Sequence, residues 1–518
     1  MKIQIGLVSY SSGWEQLCFQ EGIPCLTIDL LKQSPADECS LLVVNRILNI
    51  KEREVVEQYL IDGGAVIGYT EHLLKIAGVN GTEQELAYVV ADRDDIFRSV
   101  HLLDLGLRGL VPRGANALRT DTNTFAVTIG PLGGGHAVIL PFDVDALLHD
   151  ARPANKSFCF GLDRLPSERV SLVGKGELRH LVHDAFTYLH HSRGIPYVHL
   201  WYFPRGLKNV FAFRIDSDGA SQEDIDMLYK LGRDNDVPLS WFLDVKSHEQ
   251  WLSHFKYFVG QEIGLHCYEH RTYSSYNANL KNITRGLQEM RRAGLQPMGF
   301  AAPYGIWNPE LGEAVDQAGF EYSSEFSYAY DTLPLFPEAK GKKLKTLQMP
   351  IHPICIGTMA MVGYSDAKMV EYFIKVIRLK LSRHEPLFFY HHPSHRHWDV
   401  IRWLFDFREE GVERTTLGEY ARWWKQRIAA KFRLEVDGDT VRIRHSGASI
   451  PDDVWFRVAD AGGNEVILQT NESIDLKSVQ WTTPQKPVPP PEDVRRTREF
   501  DPRQAVGELY NTLIRKLR

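Results

Sequence analysis

Between Asn209 and about Trp424, four apolar runs each end in residues that carry chemistry, and this pattern constrains the fold more than any other feature of the chain. The runs close on Asp216-Ser-Asp-Gly219, on His266 to His270, on Ala302-Pro-Tyr304 and on His391-His-Pro393. Short apolar strands separated by helix-length segments point to a parallel sheet with crossover helices. Each of the four sets of residues stands at the end of its apolar run. At 518 residues the chain has room for further domains on either side.

In Phe211 to Gly219 the strand period of two puts Arg214, Asp216 and Asp218 on one face, opposite Phe213 and Ile215. Two carboxylates that close are costly unless a cation is present or one of them is protonated. A solvated strand-end turn, where Asp and Gly are common, is the other reading of this segment. In Glu262 to His270, His266 and His270 lie four residues apart and would share one face of a helical turn, a spacing that suits a metal. As HxxEH the segment also matches the inverted zinc metallopeptidase motif. A peptidase needs both histidines well inside one helix. Here Ile263-Gly-Leu265 reads as a strand exit, so His266 is expected at a strand end.

The succession DxDG, HxxxH, a strand ending in AAPY and a strand ending in His resembles the polysaccharide deacetylases of carbohydrate esterase family four, the NodB-homology fold. It is most similar to the branch that contains the arabinose-phosphoundecaprenol deformylase, through its RIDxD, GLHxxxH and FAAP segments. The resemblance covers about residues 209 to 424. It implies a distorted (β/α) barrel with its site at the strands' C-terminal ends. By the same resemblance Asp218, His266 and His270 would be metal ligands, and Asp216 the general base. His391, or its neighbour His392, would be the general acid that protonates the departing amine. The metal implied is divalent, Zn first, with Co, Ni or Mn as alternatives. Tyr304 and Trp307 are candidate substrate contacts against a sugar ring, or else core aromatics following a barrel strand. The chain departs from the family in two places: Ser217 separates the two aspartates, and Ala301 stands where many members carry an Arg that orients the base. Arg214, on the face of Asp216, is the candidate substitute and is also counted among the substrate-binding candidates. His395 and His397 read as surface histidines.

Elsewhere, Lys2 to Val8, Pro24 to Ile28, Ser40 to Val44 and Ala65 to Ile67 alternate with helical segments, giving a flavodoxin-like parallel sheet in residues 1–150. Its topology loosely resembles the glutamine amidotransferase superfamily, but Val66-Ile-Gly-Tyr-Thr70 lacks that superfamily's Cys nucleophile, so a non-catalytic role is expected. Gly133 to Gly135 read as a turn rather than a phosphate cradle. Residues 151–208 form a connecting region with a helix near Glu177 to His190, 209–428 the barrel, and 429–481 a small β domain with hairpins at Asp437-Gly438 and Ala461 to Asn464. Residues 482–518 form a Pro-rich linker and an amphipathic helix that packs on the chain itself or on a partner.

With 60 Lys and Arg against 66 Asp and Glu, the net charge of -6 offers no basic field for nucleic acid. The opening MKIQIGLVSYSSGW lacks the apolar core of a secretory signal, and no run approaches the ~18 apolar residues of a spanning helix. The six cysteines form no CxxC pair and read as reduced thiols, so a cytoplasmic location is expected. The expected activity is a metal-dependent hydrolase that removes an N-acetyl or N-formyl group from an amino-sugar substrate, polymeric, oligomeric or lipid-linked. A catalytically silent carbohydrate-binding module and the HxxEH peptidase are the alternatives.

Overall fold

A strand buried on both faces reads as an unbroken apolar run, and Leu41–Val44, with all four residues buried, is the centre of such a sheet. The computed structural model describes residues 1–499 apart from 93–95, 162, 446–448, 471, 492 and 493, together with Pro502 and Val506. The helix expected over 501–518 falls, but for those two positions, outside the described residues. Ile5–Leu7, Cys25–Thr27, Leu41–Val44 and Ala65–Tyr69 pair in parallel, as the apolar runs predict. Gly135–Leu140 adds a fifth parallel strand. The sheet then continues, unanticipated, into antiparallel strands Phe125–Leu132, Ala117–Thr120, Gly81–Val90 and Leu103–Pro112. Gly133 and Gly134 turn the chain between Phe125–Leu132 and Gly135–Leu140, with Gly133 in the left-handed region at φ 62°.

The central region is a second parallel sheet of eight strands. They are β1 (Asn209–Asp216), β2 (Leu239–Leu243), β3 (Glu262–Leu265), β4 (Gly299–Ala301), β5 (Tyr322–Ser324), β6 (Leu347–Gln348), β7 (Leu387–His391) and β8 (Val412–Arg414). Their order is β6-β5-β4-β3-β2-β1-β7, and β8 also pairs with β1. Helices α1 (Gln222–Asp234), α2 (Tyr276–Arg292), α3 (Pro309–Ala318), α4 (Asp366–Ser382), α5 (Trp398–Asp406) and α6 (Leu417–Ala429) supply most of the crossovers and close the unit. Their starts are written locally. Asn308 caps α3 with Pro309 in its first turn, and Thr416 with Glu419 forms a capping box on α6. The register of β1 with β7, Arg214 beside Tyr390 and Ile215 beside His391, decides which fourth-motif histidine enters the site.

Buried polar contacts join the flanking regions to this unit. Glu21, wholly buried on the helix Ser12–Glu21, accepts from Arg179 Nη1 at 3.0 Å, Tyr202 Oη at 2.9 Å and Tyr197 Oη at 3.1 Å, and pairs with His183 Nδ1 at 2.6 Å. Arg179 and His183 lie on the helix Lys175–His191, which covers the expected helical segment. From α6, buried Arg427 donates to the carbonyls of Trp201, Phe19 and Leu200 at 2.7, 2.9 and 2.8 Å. The expected C-terminal hairpins are present as Phe432–Asp437 with Thr440–His445 and Phe456–Ala459 with Glu465–Leu468. They do not stand apart. Tyr197–Leu200 pairs with Phe456–Ala459, and Val436 N–H donates to Met1 O at 2.8 Å.

Burial by itself would raise the Glu21 carboxyl, but His183 and Arg179 outweigh it and hold the group below the usual carboxylate range. Its stabilising contribution is therefore complete above the unfolded pKa and is lost as pH falls toward the lower folded value. Glu21→Ala leaves Arg179 buried and uncompensated, and chemical denaturation should show a loss of about 3–5 kcal/mol. The variant should also lose part of the wild type's acid-dependent destabilisation. A change within about 0.5 kcal/mol, the level of an ordinary surface substitution, would contradict this role.

Candidate functional site

At the carboxyl end of β1 the strand alternation delivers Arg214 and Asp216 to one face, both essentially inaccessible to solvent. The guanidinium grips the carboxylate with two parallel bonds. Nε donates to Asp216 Oδ1 at 2.7 Å, and Nη2 pairs with Oδ2. Nη1 is held from β5, donating to Ser324 O at 2.7 Å and Ser324 Oγ at 3.1 Å. The Tyr390 ring lies 5.3 Å from the guanidinium carbon. Burial opposes ionisation of Asp216, but Arg214 and His266 prevail and its carboxyl stays below the ordinary value. Arg214 is thus a clamp on Asp216. Wholly enclosed, it is not available as the substrate contact the sequence suggested. A further carboxyl nearby, Glu325, is pushed up to about 8 by burial.

Asp218 leaves the strand in the left-handed region at φ 22°, and its Oδ1 is buried without a hydrogen bond. It stands 3.1 Å from His266 Nε2 and 3.3 Å from His270 Nε2, and the two imidazole nitrogens are 3.1 Å apart. A tetrahedral metal with ligand bonds of roughly 2.0–2.1 Å separates its ligands by about 3.3 Å. The three atoms therefore fit a divalent ion. The tautomer fits too: His266 Nδ1 donates to Ala301 O at 2.8 Å, which leaves the Nε2 lone pair facing Asp218. Residues 266–270 are not a helical turn, contrary to the spacing argument. His266 follows β3 directly, and Cys267 at φ 66° folds the chain back so that His270 returns to it. The middle glutamate of HxxEH does not enter the site either, since Glu269 bonds Tyr273 Oη at 2.9 Å and Lys246 Nζ at 3.1 Å. Ser217 points away, accepting from Asp244 N–H at 2.9 Å and meeting His248 Nε2 at 2.9 Å.

Opposite the triad stands His392, with Nε2 at 3.2 Å from Asp218 Oδ2. His391, the residue first named at the fourth motif, requires correction. It pairs with Ile215, on the other side of the strand from Arg214 and Asp216, and is wholly buried. Burial lowers its pKa, whereas at His392 the opposing effect of burial is overcome by Asp218 and Cys355. Trp307 is corrected as well, being a core aromatic 3% exposed with its ring 4.5 Å from that of Tyr328. Tyr304 does border the site, half exposed, with its ring 4.8 Å from the His270 ring. His397 bonds Asp366 Oδ1 at 2.7 Å near the surface. His395 is exposed as expected but also joins a second group with Cys355 and His392, whose candidate ligand atoms lie within 4.8 Å of one another. Cys355 gave no signal in the sequence, because it contributes from a loop 37 residues before His392 with no spacing rule to connect them.

No family model matches the chain, and no curated protein matches its sequence. Solved structures that align with it include a putative polysaccharide deacetylase from Mycobacterium smegmatis, at 16% identity and TM-score 0.38 over 44% of this chain and 93% of that one. A probable polysaccharide deacetylase from Pseudomonas aeruginosa PAO1 aligns at 15% identity and TM-score 0.35 over 43% and 92%. A family 4 carbohydrate esterase from Streptomyces lividans, solved in complex with acetate, aligns at 16% identity and TM-score 0.28 over 40% and 91%.

Proposed function

We propose that the protein is a metal-dependent hydrolase that removes an N-acetyl or N-formyl group from an amino sugar. The observation that carries this reading is the juxtaposition of a clamped carboxylate, a convergent Asp-His-His set and an imidazole facing them. Asp218, His266 and His270 would hold the metal, which supplies carbonyl polarisation and a water acidified toward neutral pH. Asp216 is ionised at neutral pH and fixed by Arg214, so it can take the proton of the attacking water without first reorienting. His392 then returns a proton to the leaving amine, without which amine expulsion is slow. The half-exposed Tyr304 ring offers an apolar wall of the kind sugar rings stack on.

Two rivals are less well supported. A peptidase of the HxxEH type needs the glutamate between the histidines as its base, and Glu269 is engaged with Lys246 and Tyr273 instead. A silent binding module has no use for the buried Arg214–Asp216 pair, which costs desolvation energy to maintain. A cytoplasmic location is part of the proposal; among the described residues, no helix is long and apolar enough to cross a membrane.

Incubating the zinc-loaded protein with panels of N-acetylated and N-formylated amino sugars should release acetate or formate from at least one member, detected by mass spectrometry. No release from any member with zinc, cobalt or manganese would count against the reading. Elemental analysis of His266→Ala, His270→Ala protein should show loss of the tightly held equivalent, and unchanged stoichiometry would remove the triad from consideration. Asp216→Asn, which leaves Arg214 buried without its counter-charge, should lose about 3–5 kcal/mol of stability, but the folded protein should keep its metal and its KM while kcat falls about 10²-fold or more. Ser217→Ala, which loses two buried contacts, should cost about 1–3 kcal/mol in stability yet leave kcat nearly unchanged. A fully active Asp216→Asn protein would defeat the proposed base.

A further inference from the structure

His392 has two ring nitrogens, and the proposed hydrolysis uses only one of them. Nε2 faces Asp218 at 3.2 Å, while Nδ1 is buried and makes no hydrogen bond. Around the second face of the ring sit Cys355, itself buried at the start of the short helix Ile356–Ala360, and His395. Residues 393–395 form a single 3-10 turn, closed by His395 N–H donating to His392 O at 3.0 Å. Side chains three apart on such a turn lie on the same side, and the two rings meet edge to face with centroids 5.0 Å apart.

The cradle is built from the other side as well. A Cβ placed on Gly357 would lie 2.1 Å from His395 Nδ1 and 2.2 Å from its Cε1, so the imidazole rests directly on helix backbone. Only glycine allows that approach, which brings the ring beside the Cys355 sulfur. Thr358 Oγ1 stands 3.6 Å from Cys355 Sγ and is held in turn by Glu168 Oε1 at 2.9 Å.

We propose that Cys355, His392 and His395 form a second metal site, selective for a thiophilic divalent ion such as Zn, whose occupancy switches off the hydrolase by taking His392. One thiolate and two imidazoles suit Zn or Co and leave a position open to water, whereas oxygen-seeking Mg and Ca disfavour sulfur. The regulatory half of this proposal rests on the hydrolase reading, but the binding half does not. A metal on Nδ1 replaces the proton that makes the ring an imidazolium. The Nε2–H that remains belongs to a neutral imidazole, a far weaker acid, and the leaving amine goes unprotonated. Metal taken first at the triad would activate, and metal taken next at the cysteine site would inhibit.

Titration of the full-length protein with Co²⁺ provides the test, because a thiolate ligand adds a sulfur-to-cobalt charge-transfer band in the near ultraviolet that nitrogen and oxygen ligands lack. Two equivalents should bind, and the band should grow with only one of them. Cys355→Ser should abolish the band. His395→Ala, at an exposed position that folding tolerates, should weaken the band-forming equivalent by at least about tenfold, as losing a ligand costs no less than losing an outer partner. His395→Ala, loaded with one equivalent of zinc, should retain wild-type hydrolysis, and both variants should resist inhibition by excess zinc. A Asp218→Asn, His270→Ala protein should still show the band. That outcome keeps the second site standing even if no acyl sugar is ever cleaved, and so separates the two claims. A wild-type protein that binds cobalt with no such band, or a band unaffected by both variants, would overturn the proposal. Equal inhibition of wild type and Cys355→Ser by excess zinc would overturn its regulatory half.

Discussion

The buried ion pair between Arg214 and Asp216 is the constraint around which the site is arranged. Removing two charges from water costs several kcal/mol each, and only good geometry with every remaining donor satisfied offsets that. The clamp pairs four of the five guanidinium N–H groups: two parallel bonds to the carboxylate and two from Nη1 to Ser324, with the Tyr390 ring beside the cation. Arg214 and Asp216 come from the same strand two residues apart, so an extended β1 puts both on one face, and Ser324 of β5 and Tyr390 of β7 complete their surroundings. Asp218 lies beyond the strand's last residue, and its left-handed backbone at φ 22° turns it toward His266 and His270.

The four strand ends share a second feature. Each departs from its sheet through non-glycine residues in the left-handed region: Asp218 at φ 22°, Cys267 at 66°, Tyr304 at 58°, and Arg396 and His397 at 58° and 53°. Such residues cost of the order of 1–3 kcal/mol each and persist where surrounding structure over-determines them. Here they turn the chain sharply just beyond the sheet, so that side chains from sequence positions as distant as 218 and 392 meet. Other such residues, among them Leu118, Arg205 and His384, lie elsewhere in the chain, so what marks these five is that their turns bring the candidate metal ligands and the candidate acid together. The apolar core that holds the turns in place lies beneath them, in strands whose inward residues are almost wholly buried.

What could be read in advance follows from which interactions are local. The parallel strands were legible because burial on both faces writes continuous apolar runs, as in Leu41–Val44. The antiparallel extension was not, because strands such as Gly81–Val90 are half exposed and their early residues Thr82, Glu83 and Gln84 look like loop. Arg214 beside Asp216 followed from the strand period alone. The choice between His391 and His392 did not, since it depends on the register of β7 against β1, which no residue in either strand announces. Trp307 illustrates the same limit: an aromatic two positions beyond Gly305 can line a cleft or fill a core, and packing against Tyr328 decides it. Cys355 was invisible because its partners are assembled by tertiary folding.

The central claim is that Asp218, His266 and His270 bind one metal while Asp216, gripped by Arg214, stays off it as the base. Anomalous diffraction from crystals of the zinc-loaded protein, with metal held at one equivalent, tests this most directly. The account predicts a single peak about 2.0–2.2 Å from Asp218 Oδ1, His266 Nε2 and His270 Nε2, with the Arg214–Asp216 bonds intact. A peak that draws Asp216 into the coordination sphere and breaks the Arg214 clamp, or one located away from these histidines, would contradict it.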